Sequence, residues 1–450
     1  MWEIKDKTKT KKTMRVTGRI GLMVHIGLMS LMGVMTATAS EITVEVTVVN
    51  PLKMERADVP VVIRLDEMLS LKGQANEGKK KDIDDIRSAL VKNERGEEVA
   101  CQLDDLDRDE RFDELCFLTT MKGHEKQRFI VTMSDEGEPR SYEPRVYCEM
   151  LMRNDKVKEK NRHNNYIESI TARGDCANSY NLQHHHGVAF ESELNGIRIY
   201  FDKRQTLDLY GKFNHRLELK ETQFYTQKDQ KAQGYGDDVL WVGQTFGLGA
   251  FRGWDGTAST MIDPVKSRTQ RIVSYGPLRT IVDIEDRGWK AEAEKPAVTM
   301  TLRYIQYGGH RDTDVEVMFV SDVSDYRFST GIINVKGSEE LTDHNGLRAC
   351  WGTDWPSTDT VKWNRETVGL AIALSPENIE REIPGVKTEK QGLDYTYVVK
   401  VGGRKMSYKV AYCSANEEKG PKTAQEWFEW AKQWKKEVER PAEVVVKRLR

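Results

Sequence analysis

Three consecutive histidines, His184, His185 and His186, stand directly before Gly187 and the alternating run Val188-Ala-Phe-Glu-Ser. Imidazole titrates near neutral pH and can act as base, acid or metal ligand. On extended chain His184 and His186 share a face and His185 opposes them. Three adjacent imidazoles are costly to bury without partners, which favours a site role for at least one. A zinc site is disfavoured, because no nearby Cys/His pair completes a ligand set. Downstream come Tyr200-Phe-Asp202-Lys203-Arg204, Tyr210-Gly-Lys212 and Gly234-Tyr235-Gly-Asp237-Asp238-Val-Leu-Trp241, then Trp254-Asp255-Gly256 and Arg268 with Arg271. Glycines bracketing polar residues place them on loops at a cleft rim. Turn chemistry or a core Trp accounts for any one of them; as a set they describe a sugar cleft. Trp and Tyr offer flat faces to the apolar side of a pyranose, and Arg and Lys answer carboxylates. The candidates for chemistry are thus His184, His185, His186, Tyr235, Tyr210, Asp237 and Asp238. Those for substrate binding are Arg204, Lys203, Lys212, Trp241, Trp254, Asp255 and Arg271.

A second constellation is acidic. Asp105, Asp107, Asp109 and Asp113 fall at the first, third, fifth and ninth places of a calcium-type loop, where alternating carboxylates bring several hard oxygens to one cation. Glu110 stands where glycine would permit the sharp turn, and Cys116 where a bidentate Glu belongs. The readings are a structural calcium, a degenerate descendant of such a site, or a solvated acidic turn.

The elements that must position these residues are mostly strands. Ile42–Val48, Val188–Ser192, Ile197–Phe201 and Thr206–Tyr210 alternate as half-buried strands do, and so do Arg271–Ser274, Thr280–Ile284, Val298–Ile305 and Val315–Val320. Asn195-Gly196, Gly276-Pro277 and Gly308-Gly309 supply turns. Ile83, Ile86 and Leu90 have the spacing of a short helix over Ile83–Val91. A clearer one covers Thr423–Val438, where Trp427, Trp430, Ala431 and Trp434 share a face. Many strands with a terminal helix imply an all-β, antiparallel sandwich assembly. The charged stretches Lys72–Lys81 and Arg153–Arg162 read as loops, the second as a boundary. The expected organisation is an N-terminal β-sandwich portion over 40–152 and a main β domain with the C-terminal amphipathic helix over 163–440. No internal repeat favours a solenoid or propeller.

The 450 residues include 38 aromatic side chains (10 Trp, 16 Tyr and 12 Phe), too many for a solvated coil. A mean hydropathy of -0.64 does not suit a polytopic membrane protein. Lys5 to Arg19 form a basic region, Ile20–Met35 an apolar one, and Ala37 and Ala39 an A-x-A site, the pattern of a secretory signal over residues 1–39. Export to the periplasm or beyond is the expectation, with no integral span after cleavage; an uncleaved anchor is the alternative. Cleavage removes seven basic and two acidic residues, so the net charge falls from -2 to -7. No global basic field recommends nucleic acid as a partner. Cys101, Cys116, Cys148, Cys176, Cys350 and Cys413 lack metal-ligand spacing and read as buried small residues, with one or two bridges open.

The run His-His-His-Gly-Val at 184–188, with Tyr-Phe-Asp-Lys at 200–203, Gly-Tyr-Gly-Asp-Asp-Val-Leu-Trp at 234–241 and Gly-Pro-Leu-Arg-Thr at 276–280, resembles a family of exported proteins. That family is named only as a domain of unknown function and is often encoded beside polysaccharide-degrading enzymes. The resemblance implies a sandwich related to the galactose-mutarotase-like superfold, shared by mutarotases, several polysaccharide lyases and some glycosidases. It brings no settled catalytic residues.

The expected function is a carbohydrate-active enzyme on a uronate-containing glycan, with β-elimination narrowly preferred. Arg204 or Arg271 would neutralise the uronate, a histidine of 184–186 would be the base, and Tyr235 or Tyr210 the acid. Hydrolysis needs two carboxylates across the scissile bond. Asp237 and Asp238 are adjacent and face opposite ways on extended chain, so one needs a distant partner such as Asp255 or Asp202. A non-catalytic carbohydrate-binding or mutarotase-like protein would use the same aromatic faces.

Overall fold

The computed structural model describes residues 40–70, 85–154, 165–174, 177–385 and 393–449. The signal over 1–39, the loop Lys72–Lys81, most of Arg153–Arg162 and Cys176 lie outside the described residues. The named strands pair antiparallel, as the alternation requires. Ile83–Val91 is not helical where described: Ser88–Asn93 is a strand that turns Ala89 and Val91 into the core. Pairing with Lys126–Ser134 overrides the helical spacing read from three residues.

Two cores are filled by different strands. In the first, a sheet containing Glu41–Val49 and Lys126–Ser134 faces a three-stranded sheet containing Arg56–Arg64 and Glu114–Met121. Val44, Val46, Val61, Phe117 and Val131 meet between them. The C-terminal strand Glu443–Arg448 returns to pair with Glu41–Val49 and extends the first of these sheets. In the second, a nine-stranded sheet packs on two five-stranded sheets, with Phe190, Ile199, Leu302, Val317, Ile332 and Tyr397 in the shared core. The helix Ala424–Glu439 begins on Thr423, whose side chain accepts the amide of Glu426. It lays Trp427, Ala431 and Trp434 on the outer face of the nine-stranded sheet. Trp427 fits there because Gly369 lies beneath it; a Cβ at that position would stand 2.7 Å from the indole.

The two parts of this compact unit meet through a buried polar knot. The Arg279 guanidinium reaches Asp104 and Glu114, each at 2.7 Å. Gln102 accepts the Leu278 amide at 2.7 Å. Cys116 packs beside it with Ile281, Ile305 and Tyr307. Among the described residues five cysteines are free and buried, and burial pushes the Cys116 thiol up to about 12. No helix among the described residues is long and apolar enough to cross a membrane.

A second ion pair holds the cover of one five-stranded sheet. Lys212 donates to Glu191 at 2.5 Å, to the Ser192 carbonyl at 2.6 Å and to the Arg216 carbonyl at 2.7 Å. Glu191 also accepts the amides of Glu218 and Leu219, at 2.8 and 2.7 Å. The segment that follows Lys212 is thereby clamped over the sheet, with Leu219 and Phe224 packed on Ala189 and Tyr210. Removing one partner of a buried, hydrogen-bonded pair costs about 3–5 kcal/mol. Lys212→Met is therefore expected to lower unfolding free energy in urea by that amount, and a loss under about 1 kcal/mol would remove the clamp from this account.

Candidate functional site

The sheet under that clamp has an unusual division of labour. Its strands run Asp237–Asp238, Leu207–Gly211, Gly196–Tyr200, Gly187–Ser192 and Val146–Glu149. Cys148, Val188, Phe190, Ile197, Ile199, Leu207 and Leu209 face the large core. Alternation sends Tyr147, Glu149, Glu191, Arg198, Tyr200, Asp208, Tyr210 and Asp238 to the other face. Register places Arg198 directly opposite Asp208, and Tyr210 opposite Asp238.

Arg198 organises this face. Its guanidinium binds Asp208 Oδ2 at 2.6 Å, Asp238 Oδ2 at 3.1 Å, the Tyr225 hydroxyl at 2.9 Å and the Tyr200 hydroxyl at 3.2 Å. The Phe224 ring lies 4.3 Å from its central carbon. Tyr200 donates to Asp208 at 2.5 Å. Burial, and then the neighbouring Asp208 charge, raise the Asp238 carboxyl well above the usual range, against the pull of Arg198. Asp208 takes the closer guanidinium contact, at 2.6 Å against 3.1 Å for Asp238.

The histidines occupy a turn rather than an extended run, so the shared-face expectation does not apply. His185 is fully buried and points at the polar sheet face, with Nε2 at 2.7 Å from Glu149 Oε1. Tyr147 donates to the other Glu149 oxygen at 2.7 Å. Burial pushes the Glu149 carboxyl up to about 8. His184 is half-buried, with its ring 4.8 Å from His185 and 5.4 Å from Tyr225. His186 sits at φ 61°, and its ring stacks on Tyr180 at 4.3 Å. His186 Nδ1 lies 3.2 Å from the Tyr180 carbonyl. A carbonyl only accepts, so Nδ1 carries the hydrogen and Nε2 is left as an acceptor. Burial lowers the His186 pKa, which keeps the ring neutral. Gly187 is required next, because a Cβ there would stand 1.8 Å from the Ile199 carbonyl oxygen.

A cavity of about 740 Å³ opens beside this turn, lined by Tyr180, Asn181, Asp202, Lys203, Arg204 and Arg268, among others. Arg204 grips Asp202 at 2.6 and 2.7 Å and lies over the Tyr200 ring at 4.7 Å and Tyr180 at 5.4 Å. Arg268 is paired with Asp286 at 2.6 Å. Tyr180 meets Tyr200 edge-on at 5.8 Å, so Tyr200 joins the cavity wall to the Arg198 cluster.

The remaining candidates are dispersed. Tyr210 is fully buried, its hydroxyl held by Glu218, Thr226 and the Gly236 carbonyl. Lys212 belongs to the clamp described above. Tyr235 lies beneath Arg216, 4.1 Å from the ring centroid. Asp237 pairs with Lys231, away from Asp238, as adjacent strand positions must. Trp241 is 56% exposed, three residues beyond Asp238. Trp254 and Asp255 line a different cavity. Arg271 binds Asp283 on the opposite side of its strand from Arg268. In the acidic loop, ligand atoms of Asp105, Asp107 and Asp109 lie within 4.8 Å of one another and could hold a cation. Asp113 is instead bonded to the Leu106 amide at 2.6 Å. Glu110 takes φ 70°, so the turn expected of glycine forms without one.

Glu149, Tyr180, Arg198, Asp208 and Tyr225 escaped the sequence reading. Arg198 and Asp208 carried a usable signal: each is a charge at an odd place between two apolar residues, Ile-Arg-Ile and Leu-Asp-Leu, in successive strands. Tyr180 and Tyr225 had none, since only tertiary packing brings them in.

The chain belongs to the family described as "Domain of unknown function (DUF4861)", whose model matches residues 48–444. No curated protein matches it. Among solved structures, it is similar to a glycosyl hydrolase family 38 protein from Enterococcus faecalis, at 9% identity and a TM-score of 0.45, over 90% of this chain and 47% of that one. It is also similar to an alpha-mannosidase from Enterococcus faecalis V583, at 11% identity and a TM-score of 0.44, over 90% of this chain and 46% of that one. The chain thus spans about half the length of these structures.

The Glu149 pair makes a pH prediction. Its folded pKa, about 8, lies above the ordinary Glu value of 4.5, so the stability it contributes is fully present below about 4.5 and is lost as pH rises toward about 8. Glu149→Gln cannot titrate. Unfolding free energy of the native chain should fall relative to that variant, by a few kcal/mol, between pH 5 and pH 8.5. Parallel pH profiles in urea titrations would contradict the burial argument.

Proposed function

We propose that this chain is an exported glycan-processing enzyme that works by hydrolysis at the polar sheet face beside the cavity that Tyr180 and Arg204 line. Residues 1–39 are its export signal in this reading. The observation that carries the chemistry is Asp238, a buried carboxyl that shares the Arg198 guanidinium with Asp208 and that burial raises well above the usual carboxylate range. It is the general acid, protonating the leaving glycosidic oxygen. His186 Nε2 is the base that takes a proton from water, with its tautomer set by the Tyr180 carbonyl. Trp241, exposed to solvent, offers the sugar an apolar face.

Elimination on a uronate is the weaker reading for a specific reason. It asks for a cation free to neutralise the substrate carboxylate. Arg198, Arg204, Arg268, Arg271 and Lys212 are each committed to an internal carboxylate. Of the cations named at sequence level, only Lys203 is exposed in the cavity without an ion pair among the described residues. That composition suits neutral sugars better than a chain of uronates.

The test is an end-product assay on xylo-, manno- and galacturono-oligosaccharides. New reducing ends without the ultraviolet absorbance of an unsaturated uronate are expected. Asp238→Asn should lower kcat by at least about 100-fold, the usual size of general acid catalysis, with little change in KM. Unsaturated product, or full activity in Asp238→Asn, overturns the proposal.

A further inference from the structure

A second cavity, of about 810 Å³, lies next to the first and is lined by Trp254, Asp255, Lys290, Glu292, Ala293 and Arg381, among others. Asp263 and Pro264 line both cavities, so the two share one wall. That wall is pinned from both sides. The Ile262 amide bonds the Lys203 carbonyl at 2.9 Å, Arg268 bonds the Ile262 carbonyl at 2.6 Å, and the Lys290 amide bonds the Pro264 carbonyl at 3.1 Å. It is a fixed ridge between two compartments.

The compartments repeat one design. In the first, the Arg204 guanidinium lies 5.4 Å from the Tyr180 ring centroid. In the second, Arg381 lies 5.6 Å from that of Trp254. Each therefore has a guanidinium packed over an aromatic ring in its wall, with further polar side chains around it, Asn181 and Lys203 in the first and Lys290 and Glu294 in the second, that can meet sugar hydroxyls. Each volume is also within the roughly 300–1,000 Å³ of a complete small-ligand pocket.

We infer that the site is a groove of two glycan-binding compartments divided by the Asp263–Pro264 ridge, and that the ligand is an oligosaccharide or polysaccharide chain rather than a single sugar. The inference rests on the glycan reading above and adds to it the length of the ligand. Chemistry is assigned to the side of the first compartment, where the lining Tyr180 packs on His186 and Tyr200; the second holds the chain beyond the reacting bond and contributes affinity.

Calorimetric titration of the full chain with xylo-, manno- and galacturono-oligosaccharides of one to six units separates the possibilities. In the ladder that binds, affinity is expected to rise at least about ten-fold from the dimer to the hexamer. Ala293→Arg sends a charged side chain from an exposed position into the second compartment and should abolish that rise. Arg381→Ala, which only truncates an exposed side chain, should weaken the longer members selectively and guards against a folding defect in the first variant. Equal affinity for all lengths, or a rise that survives both substitutions, overturns the two-compartment groove while leaving glycan binding intact. Failure of every ladder to bind overturns the glycan reading and the groove together.

Discussion

The Arg198 guanidinium, buried on a sheet face, is the charge around which the candidate site is built. A cation removed from water must be met by carboxylates and hydrogen bonds, or its desolvation destabilises the fold. Asp208, Asp238, Tyr200 and Tyr225 supply those contacts. Two carboxylates at one guanidinium leave an excess of negative charge, and a shared proton relieves it. Burial and the Asp208 charge raise the Asp238 carboxyl, so that proton is assigned to Asp238. The acid proposed for catalysis is therefore a consequence of how the cluster stays buried.

The cluster in turn requires its lid. Phe224 and Tyr225 cover Arg198 only because Glu191 and Lys212 fasten the segment between them to the sheet. The same sheet turns its apolar face into the large core, so the polar face has a rigid backing. His185 and Glu149 extend the polar layer toward the histidine turn, where His186 stacks on the cavity-lining Tyr180 with its tautomer fixed. Structure and chemistry are linked here by burial: each desolvated charge needs a partner, and the partners are what position the reactive groups.

Much of the fold was legible in the chain. Period-two alternation found the strands from Ile42 to Val320, and the Trp427–Trp434 spacing found the C-terminal helix, because both patterns report directly on which side faces a core. Ile83–Val91 misled, since three apolar residues fit either period and cross-strand pairing decided the outcome. The site was only half legible. Asp238 and His184 lie against Arg198 and Tyr225 in the candidate site, yet Tyr210 and Lys212 are interior residues. Arg271 differs from Arg268 by an odd number of positions, and parity puts only Arg268 on the cavity side. Residues delivered by packing alone, such as Tyr180 and Tyr225, leave no local pattern to read.

The central claim is that Asp238 is a protonated acid at neutral pH. Infrared difference spectroscopy of the native chain against Asp238→Asn reads this without any substrate. The account predicts a carboxylic-acid C=O band at pH 7 that is present in the native chain and missing from the variant. A difference spectrum showing only the loss of an ionised carboxylate would contradict it.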